Sequence, residues 1–228
     1  MYTLYIANRN YSSWSLRGWL CAKLSGAPFK EVVEQLGGHG GPNLAYNRFS
    51  PSGLVPCLHD GDVVVWDSLA IAEYLAERHA GMWPKDGKAR ALARSMSAEM
   101  HSGFRDLRND MTMCIRERVD VRPWSEGLVH NIDRVQALWT DARSRFGGSG
   151  QYLFGDFSIA DAFFAPVGFR FQTYDVKPQG VAGDYLRALL AHPWLAEWQR
   201  MALAEKEIIE ADEPRHIYRE KLASLGRL

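Results

Sequence analysis

Apolar and polar positions follow two different patterns along the chain, and the change between them comes near residue 80. Before that point, short apolar runs typical of strands alternate with segments whose apolar residues recur at helical spacing. The strands are predicted at Tyr2–Ala7, 29–36, 54–58 and Val63–Trp66. The helices are predicted at 13–25, 43–49 and 69–79. This order predicts an α/β domain, a sheet covered by helices, over residues 1–80.

Beyond residue 88 apolar residues recur every three or four positions, and no segment has the alternation of a strand. One long helix is predicted from a single apolar stripe, formed by Leu92, Met96, Met100, Phe104, Leu107, Met111, Ile115 and Val119. Further helices are predicted at 123–146, after Ser158, at 185–191 and from 192 to about 211. Segment 81–87 reads as a linker, so an all-α domain is predicted over 88–228.

Turn residues refine three of these boundaries. Asp60-Gly61 predicts a hairpin between the third and fourth strands. Pro56 cannot donate a ladder hydrogen bond and therefore belongs at a strand start or an edge. Ser158 and Asp161 have the spacing of a capping box at a helix N-terminus. The glycine-rich segment 37–42 is predicted to be a flexible loop, and without a following G-K-[ST] it does not predict a phosphate site.

Composition narrows the functional classes. The 228 residues carry 27 basic and 27 acidic side chains, so no net charge favours nucleic acid or an anionic membrane. The 3 cysteines and 7 histidines are scattered and predict no metal site. The first residues lack the pattern of a signal peptide, and reduced cysteines fit a cytoplasmic protein.

Candidate chemistry gathers at the start of the first predicted helix. The hydroxyls of Ser12, Ser13 and Ser15 lie where backbone N–H groups have no partner within the helix. A helix N-terminus carries partial positive charge, so these hydroxyls can cap the helix or hold an external anion. The residues alone leave both interpretations open.

Four motifs, spread over nearly the whole chain, resemble motifs of one protein family and occur in the same order as in that family. They are Ser12-Ser13-Trp14-Ser15-Leu16-Arg17, Val55-Pro56, Asp67-Ser68 and Phe157-Ser158-Ile159-Ala160-Asp161. Together they resemble the cytosolic glutathione transferases, in particular bacterial zeta- and theta-like enzymes with an active-site serine. The segment from Met100 to Arg108 is similar to a bacterial subgroup that has no well-defined substrate. The resemblance implies a thioredoxin-like first domain and an all-α second domain.

The resemblance also implies roles for particular residues. Ser12 or Ser13 would stabilise the glutathione thiolate, and the spacing to Arg17 does not decide between them. Glutathione, the co-substrate, would be bound by Trp14, Leu54, Val55, Pro56, Asp67 and Ser68. The second substrate would contact Met100, Phe104, Arg108, Met111 and Phe171.

The implied activity is conjugation of glutathione to small electrophiles, as in detoxification. Glutathione-dependent isomerisation of the maleylacetoacetate type and peroxide reduction are alternatives, and a non-catalytic interaction module is another. Trp14 stands where zeta-class enzymes usually have cysteine, which argues against a thiol–disulfide role. Zeta-class isomerases have a substrate-binding arginine near the end of the helix that follows the capping box. In this sequence Thr173-Tyr174 occupies that place, and Arg170 lies about one turn earlier. Family members commonly form homodimers, to which the predicted long helix would contribute.

Overall fold

A computed structural model describes residues 1–36 and 42–227. Its four-stranded sheet has the order β2-β1-β3-β4. The strands are β1 (Tyr2–Ala7), β2 (Phe29–Glu34), β3 (Cys57–Asp60) and β4 (Val63–Trp66). β1 runs parallel to β2 and antiparallel to β3, and β3 and β4 form an antiparallel hairpin. The predicted loop at 37–41 lies outside the described residues.

Two helices follow strands of this sheet, α1 (Ser13–Leu24) after β1 and α2 (Ser68–Ala76) after β4. Leu4 and Ile6 of β1 are fully buried in one core with Leu16 of α1 and Leu75 of α2. A short 3₁₀ helix, Leu44–Arg48, lies where a helix is predicted at 43–49. The thioredoxin-like α/β prediction is confirmed.

Helices make up the regular structure that is described after residue 80. They are α3 (Gly87–Ser102), α4 (Arg105–Asp110), α5 (Glu126–Phe146), α6 (Ile159–Thr173), α7 (Gly180–Leu190), α8 (Pro193–Ala204), α9 (Pro214–Ile217) and α10 (Arg219–Ser224). A 3₁₀ turn, Glu210–Asp212, precedes α9. α6 is almost wholly buried and packs against both α1 and α3. None of the described helices is long and apolar enough to cross a membrane.

The prediction of one helix through residues 92–119 is wrong. α3 ends at Ser102, Gly103 is extended, and Phe104 has a φ of 58° in the left-handed region. After α4 the backbone bonds to other segments: Ile115 N–H donates to Asn10 O and Val119 N–H donates to Thr173 O. The apolar spacing therefore marked burial, which is complete for all of this stripe except the partly buried Leu92, and not a continuous helix.

Several other boundaries differ by a few residues. The hairpin turn consists of Gly61 and Asp62, because Asp60 still pairs with Val63. Only glycine readily adopts the φ of 57° at position 61. α5 begins at Glu126 with Ser125 as its cap, and α8 ends at Ala204 and not near 211.

The capping box at the start of α6 is confirmed. The Asp161 carboxylate accepts from Ser158 N–H at 2.9 Å and from the Ser158 hydroxyl at 3.0 Å. It also accepts from Leu153 N–H and from the Tyr185 hydroxyl, both at 3.0 Å. The carboxylate therefore ties α6 to α7 and to the preceding loop.

Candidate functional site

Two adjoining cavities share the N-terminus of α1 as a wall. The first-domain cavity, of about 510 Å³, is lined, among the described residues, by side chains between Ser12 and Ser68. The interdomain cavity, of about 520 Å³, also uses Arg108 of α4, Arg170 of α6 and the segment around Asp212. Ser12, Trp14 and Leu36 line both cavities. A ligand that spans the two would pass these side chains.

Ser12 is the N-cap of α1. Its hydroxyl oxygen accepts from Ser15 N–H at 3.2 Å, and its proton is donated to Ser15 Oγ at 2.7 Å. Ser15 Oγ also accepts from Ala7 N–H, at the end of β1, at 2.9 Å. The N-terminus of α1 is thereby fixed to the sheet with the Ser12 hydroxyl on the wall of both cavities.

Ser13, the first residue of α1, lines the interdomain cavity and is bonded to Arg170. The Arg170 guanidinium donates to Ser13 Oγ at 3.4 Å and to Met111 O at 2.6 Å. Its Nη1 has no hydrogen-bond partner among the described residues, although Arg170 is only 5% exposed. Burial lowers the pKa of Arg170 to about 9, which leaves it charged at neutral pH. Arg170 therefore keeps its positive charge beside the cavity, where the Asp212 carboxylate partly offsets it.

Val55-Pro56 has a cis peptide bond and lines the first-domain cavity beside Leu54, which is half-exposed. The loop lies directly against α1. A Cβ at Gly18 would come within 2.9 Å of the Pro56 ring. Glycine at position 18 therefore permits the close approach of helix and loop that shapes this side of the cavity.

Asp67 and Ser68 begin α2 on the opposite side of the same cavity. The Asp67 carboxylate caps α2 by accepting from Leu69 N–H at 2.8 Å, and it pairs with His101 Nε2 of α3 at 3.3 Å. Ser68 is 1% exposed, and its Oγ has no partner among the described residues. A buried hydroxyl without a partner, at the positive end of a helix, is suited to bind a carboxylate.

Trp14 lies between two guanidinium groups. Arg17 stands over its ring at 4.6 Å and Arg108 at 4.7 Å. Arg108 is fixed in turn by donating to the carbonyls of Met100, His101 and Gly103. These cation–π contacts hold the indole at the boundary between the cavities.

The sequence-predicted residues divide into two groups. Ser12, Ser13, Trp14, Leu54, Val55, Pro56, Asp67, Ser68 and Arg108 line one cavity or both. Met100, Phe104, Met111 and Phe171 are buried in the core and lie on neither cavity wall. The family resemblance implied that they contact the substrate, but Met and aromatic residues at helical spacing are more often core.

Other lining residues were not predicted. Leu36, Tyr46, Ser52 and Trp66 line the first-domain cavity, and Tyr11, Thr112, Asp212 and Ile217 line the interdomain cavity. Trp66 is 44% exposed at the end of β4, and the signal available in the sequence was a large aromatic directly before the predicted helix cap at Asp67. The described residues include no cluster of three or more histidine, cysteine or carboxylate side chains that could hold a metal ion.

Comparison with known proteins agrees with this geometry. Residues 11–78 match the model of the glutathione S-transferase N-terminal domain. Glutathione S-transferase 1 from Dianthus caryophyllus is 30% identical over 168 residues, 72% of this chain and 74% of that protein. The chain belongs to the glutathione S-transferase family. Another family relative, maleylacetoacetate isomerase from Rattus norvegicus, is 28% identical over 195 residues, 82% of this chain and 87% of that protein.

Solved structures of this transferase family share the fold. A glutathione transferase homologue from Burkholderia gl BGR1, with bound glutathione, superposes with a TM-score of 0.66 at 23% identity. It covers 90% of this chain and 99% of its own. Maleylacetoacetate isomerase from Methylobacterium extorquens AM1, with bound malonate and glutathione, gives 0.62 at 23% identity over 88% of this chain and 97% of its own.

Proposed function

We propose that this transferase-family protein is an enzyme that binds glutathione in the first-domain cavity and uses Ser12 to stabilise the glutathione thiolate for attack on a small electrophile. One observation carries the proposal. The Ser12 hydroxyl lies at the N-terminus of a 12-residue helix, on the wall common to both cavities. A glutathione thiolate at Ser12 would lie at the boundary of the first-domain cavity and would face an electrophile bound in the interdomain cavity.

The charges of glutathione match the first-domain cavity. Its γ-glutamyl carboxylate would accept from the unpartnered Ser68 hydroxyl and the Ser68 N–H at the start of α2, and its ammonium group would meet Asp67. The cysteinyl backbone would pair with the N–H and C=O of Val55 like an added strand. Leu54 and Trp14 would contact the peptide from either side. This orientation directs the thiol toward Ser12.

A free thiol is a poor nucleophile until it ionises. A hydrogen bond to a charged partner contributes roughly 1.5–3 kcal/mol. Since about 1.36 kcal/mol corresponds to one pKa unit, donation from one serine would lower the thiol pKa by about one to two units. The positive end of α1 adds to this effect. The serine acts as a hydrogen-bond donor and not as a base, because its own proton is retained.

Ser12 is favoured over Ser13 by its position. Ser13 lines only the interdomain cavity, and its oxygen accepts from Arg170. Replacing Ser12 by Ala is expected to reduce kcat/KM at neutral pH by 10-fold or more, about 1.4 kcal/mol, and Ser13→Ala by less. Equal activity of Ser12→Ala and the wild type would contradict the proposal. Calorimetric titration with glutathione separates this enzyme from a non-catalytic interaction module, in which no binding is expected.

A second candidate activity is glutathione-dependent isomerisation of an acidic substrate. Arg108 and Arg170, whose Nη1 has no partner among the described residues, outnumber the one acidic residue, Asp212, in the described lining of the interdomain cavity, which favours an anionic substrate. The thiolate would add to a conjugated double bond and leave again after rotation, so glutathione is regenerated. An activity screen with aryl halides, hydroperoxides and maleyl or α-keto acids distinguishes conjugation, peroxide reduction and isomerisation. Selective loss of the acid reaction in Arg170→Gln would favour the isomerase.

We also propose that the enzyme is a cytoplasmic homodimer with a role in detoxification, as the family resemblance implies. In such dimers the first domain of one subunit packs on the second domain of its partner. Sedimentation equilibrium at micromolar concentration is expected to give twice the mass of 25.8 kDa. A monomer under those conditions would contradict the proposal.

A further inference from the structure

Ser15 lies behind the site, where it is fully buried and lines neither cavity. Its hydroxyl nevertheless contacts the group to which we assign the chemistry. Ser12 Oγ and Ser15 Oγ are 2.7 Å apart, and Ser15 Oγ is also 2.9 Å from Ala7 N. A continuous hydrogen-bonded path therefore leads from the end of β1 through Ser15 to Ser12.

Helix capping does not require this path. The cap of α1 is the bond from the backbone N–H of Ser15 to Ser12 Oγ, which any residue except proline at position 15 would donate. The contact between the two hydroxyls is additional to that cap. It needs a side-chain oxygen at position 15, on the buried side of the helix.

The number of donors and acceptors on each serine hydroxyl shows how the contact between Ser12 and Ser15 can change when a ligand binds. A serine hydroxyl has one proton and two acceptor positions. Without a ligand, the Ser12 proton is donated to Ser15 Oγ, which also accepts from Ala7 N–H. If the Ser12 proton turns to a thiolate, the bond between the hydroxyls survives only when Ser15 donates its own proton to Ser12 Oγ. Ser15 is placed to make that exchange without any change in its position.

We infer that Ser15 is a positioning residue for thiolate stabilisation, which rests on the proposed role of Ser12. With glutathione bound, Ala7 N–H donates to Ser15 Oγ, Ser15 donates to Ser12 Oγ, and Ser12 donates to the sulfur. The thiol proton leaves to solvent, and neither serine ionises. Each donor in such a chain strengthens the next, so Ser15 both orients the Ser12 hydroxyl and makes it a better donor.

The test is a titration of enzyme-bound glutathione, following thiolate absorbance in the ultraviolet against pH, in the wild type, Ser12→Ala, Ser15→Ala and the double variant. Ser15→Ala is expected to raise the thiol pKa by about half to one unit, a threefold to tenfold loss of thiolate below the pKa. Its glutathione affinity should change less than twofold. In the Ser12→Ala background the same substitution is expected to have no further effect.

Two results would overturn the inference: an unchanged pKa in Ser15→Ala, or an equal shift with and without Ser12. An unchanged pKa in Ser12→Ala would instead refute the proposed function, so the two failures are distinguishable. The neighbouring charges of Arg17, Arg108, Arg170 and Asp67 are the same in all four proteins. If Ser15→Ala does not fold, Ser15→Cys replaces it, because cysteine is of similar size and a weaker donor, and the same two criteria apply. Ser15→Thr keeps the hydroxyl and should give the wild-type pKa of the glutathione thiol.

Discussion

Ser68 and Ser97 are both buried and both carry a hydroxyl without a partner among the described residues, but Ser68 lines the first-domain cavity and Ser97 lines neither cavity of the site. Because neither loses a hydrogen bond, Ser68→Ala and Ser97→Ala should each change the free energy of unfolding by less than about 1 kcal/mol. Ser68→Ala should weaken glutathione binding by about 10-fold, the value of one charge-assisted bond. Denaturant titration and calorimetry provide the two measurements.

Ser97→Ala is the matched control, and its glutathione affinity should equal that of the wild type. Equal affinity in both variants would show that the Ser68 hydroxyl does not touch the ligand. At this scale the site was the most predictable part of the protein. Asp67-Ser68 and Val55-Pro56 could be recognised because a helix cap and an X-Pro bond leave a local signature in two residues.

The contact between α1 and the cis-proline loop sets the shape of the first-domain cavity at the scale of elements. Gly18→Ala would place a methyl group 2.9 Å from the Pro56 ring, so the helix or the loop must move. We expect a loss of about 1–3 kcal/mol in unfolding free energy and weaker glutathione binding.

Gly87→Ala is the control for this substitution. Gly87 begins α3, and an added Cβ would meet no atom within 4 Å. Alanine there should leave glutathione affinity unchanged and raise stability slightly, because alanine favours the helix. Thermal melts and glutathione titration compare the two variants. Unchanged glutathione binding in Gly18→Ala would mean that the cavity tolerates movement of α1.

The buried carboxyl group of Asp161, in the capping box of α6, should make the stability of the protein depend on pH. Burial raises the pKa of Asp161 to about 6 from 3.8, although four hydrogen bonds oppose the shift. The folded protein therefore keeps a proton that the unfolded chain releases between about pH 4 and 6. The contribution of this group to stability falls as pH rises through that range, by up to about 3 kcal/mol.

Denaturant unfolding of the wild type and Asp161→Asn between pH 4.5 and 6.5 measures this effect. Asparagine cannot titrate, so the stability of the wild type relative to the variant should decrease with rising pH. A difference that is constant over the range would contradict the assigned pKa. A difference that increases would indicate that the four donors hold the carboxylate ionised.

Element boundaries were predicted correctly where residues close in sequence determine them. They were missed where hydrogen bonds to distant residues determine them. Asp60, Gly61, Ser158 and Asp161 act within a few residues, and their turn and cap were found within one position. Residues 111–119 keep helical spacing but hydrogen-bond to Asn10 and Thr173, which no local pattern reveals. The burial of the four apolar side chains named as substrate contacts was not foreseen either, because helical apolar spacing is the same for core and pocket residues.

The segment after α8 joins the two halves of the whole molecule. Glu205 accepts from the backbone N–H groups of Arg9 and Asn10, at 2.8 and 3.0 Å. The Tyr11 hydroxyl donates to Glu213 and accepts from Ile209 N–H at 3.2 Å. These bonds hold the segment that supplies one wall of the interdomain cavity, and this wall was not predicted because its partners are about 200 residues apart.

Tyr11→Phe should loosen that wall while leaving the first-domain cavity intact. Burial raises the pKa of Tyr11 to about 12, so its proton is present at working pH and the hydrogen bonds are lost only on substitution. We expect a several-fold increase in KM for the electrophile and unchanged glutathione affinity. Amide exchange should become faster in residues 205–217.

Tyr152→Phe, at a tyrosine that lines neither cavity, is the control and should leave both kinetic constants unchanged. If Tyr11→Phe weakened glutathione affinity by the same factor as it raised the KM of the electrophile, the two cavities would not be independent. An unchanged exchange rate in 205–217 would show that the segment is held by Glu205 alone.

The lining of the two cavities also sets the order in which they can form during synthesis. The described residues that line the first-domain cavity end at Ser68, so its walls are translated before those of the helical domain. The interdomain cavity also needs residues 211, 212 and 217, which are translated well after Ser68. A nascent chain would thus carry the residues assigned to glutathione before it carries the far wall of the second cavity, and a thiolate at Ser12 would have no complete second site until the segment after α8 has been translated.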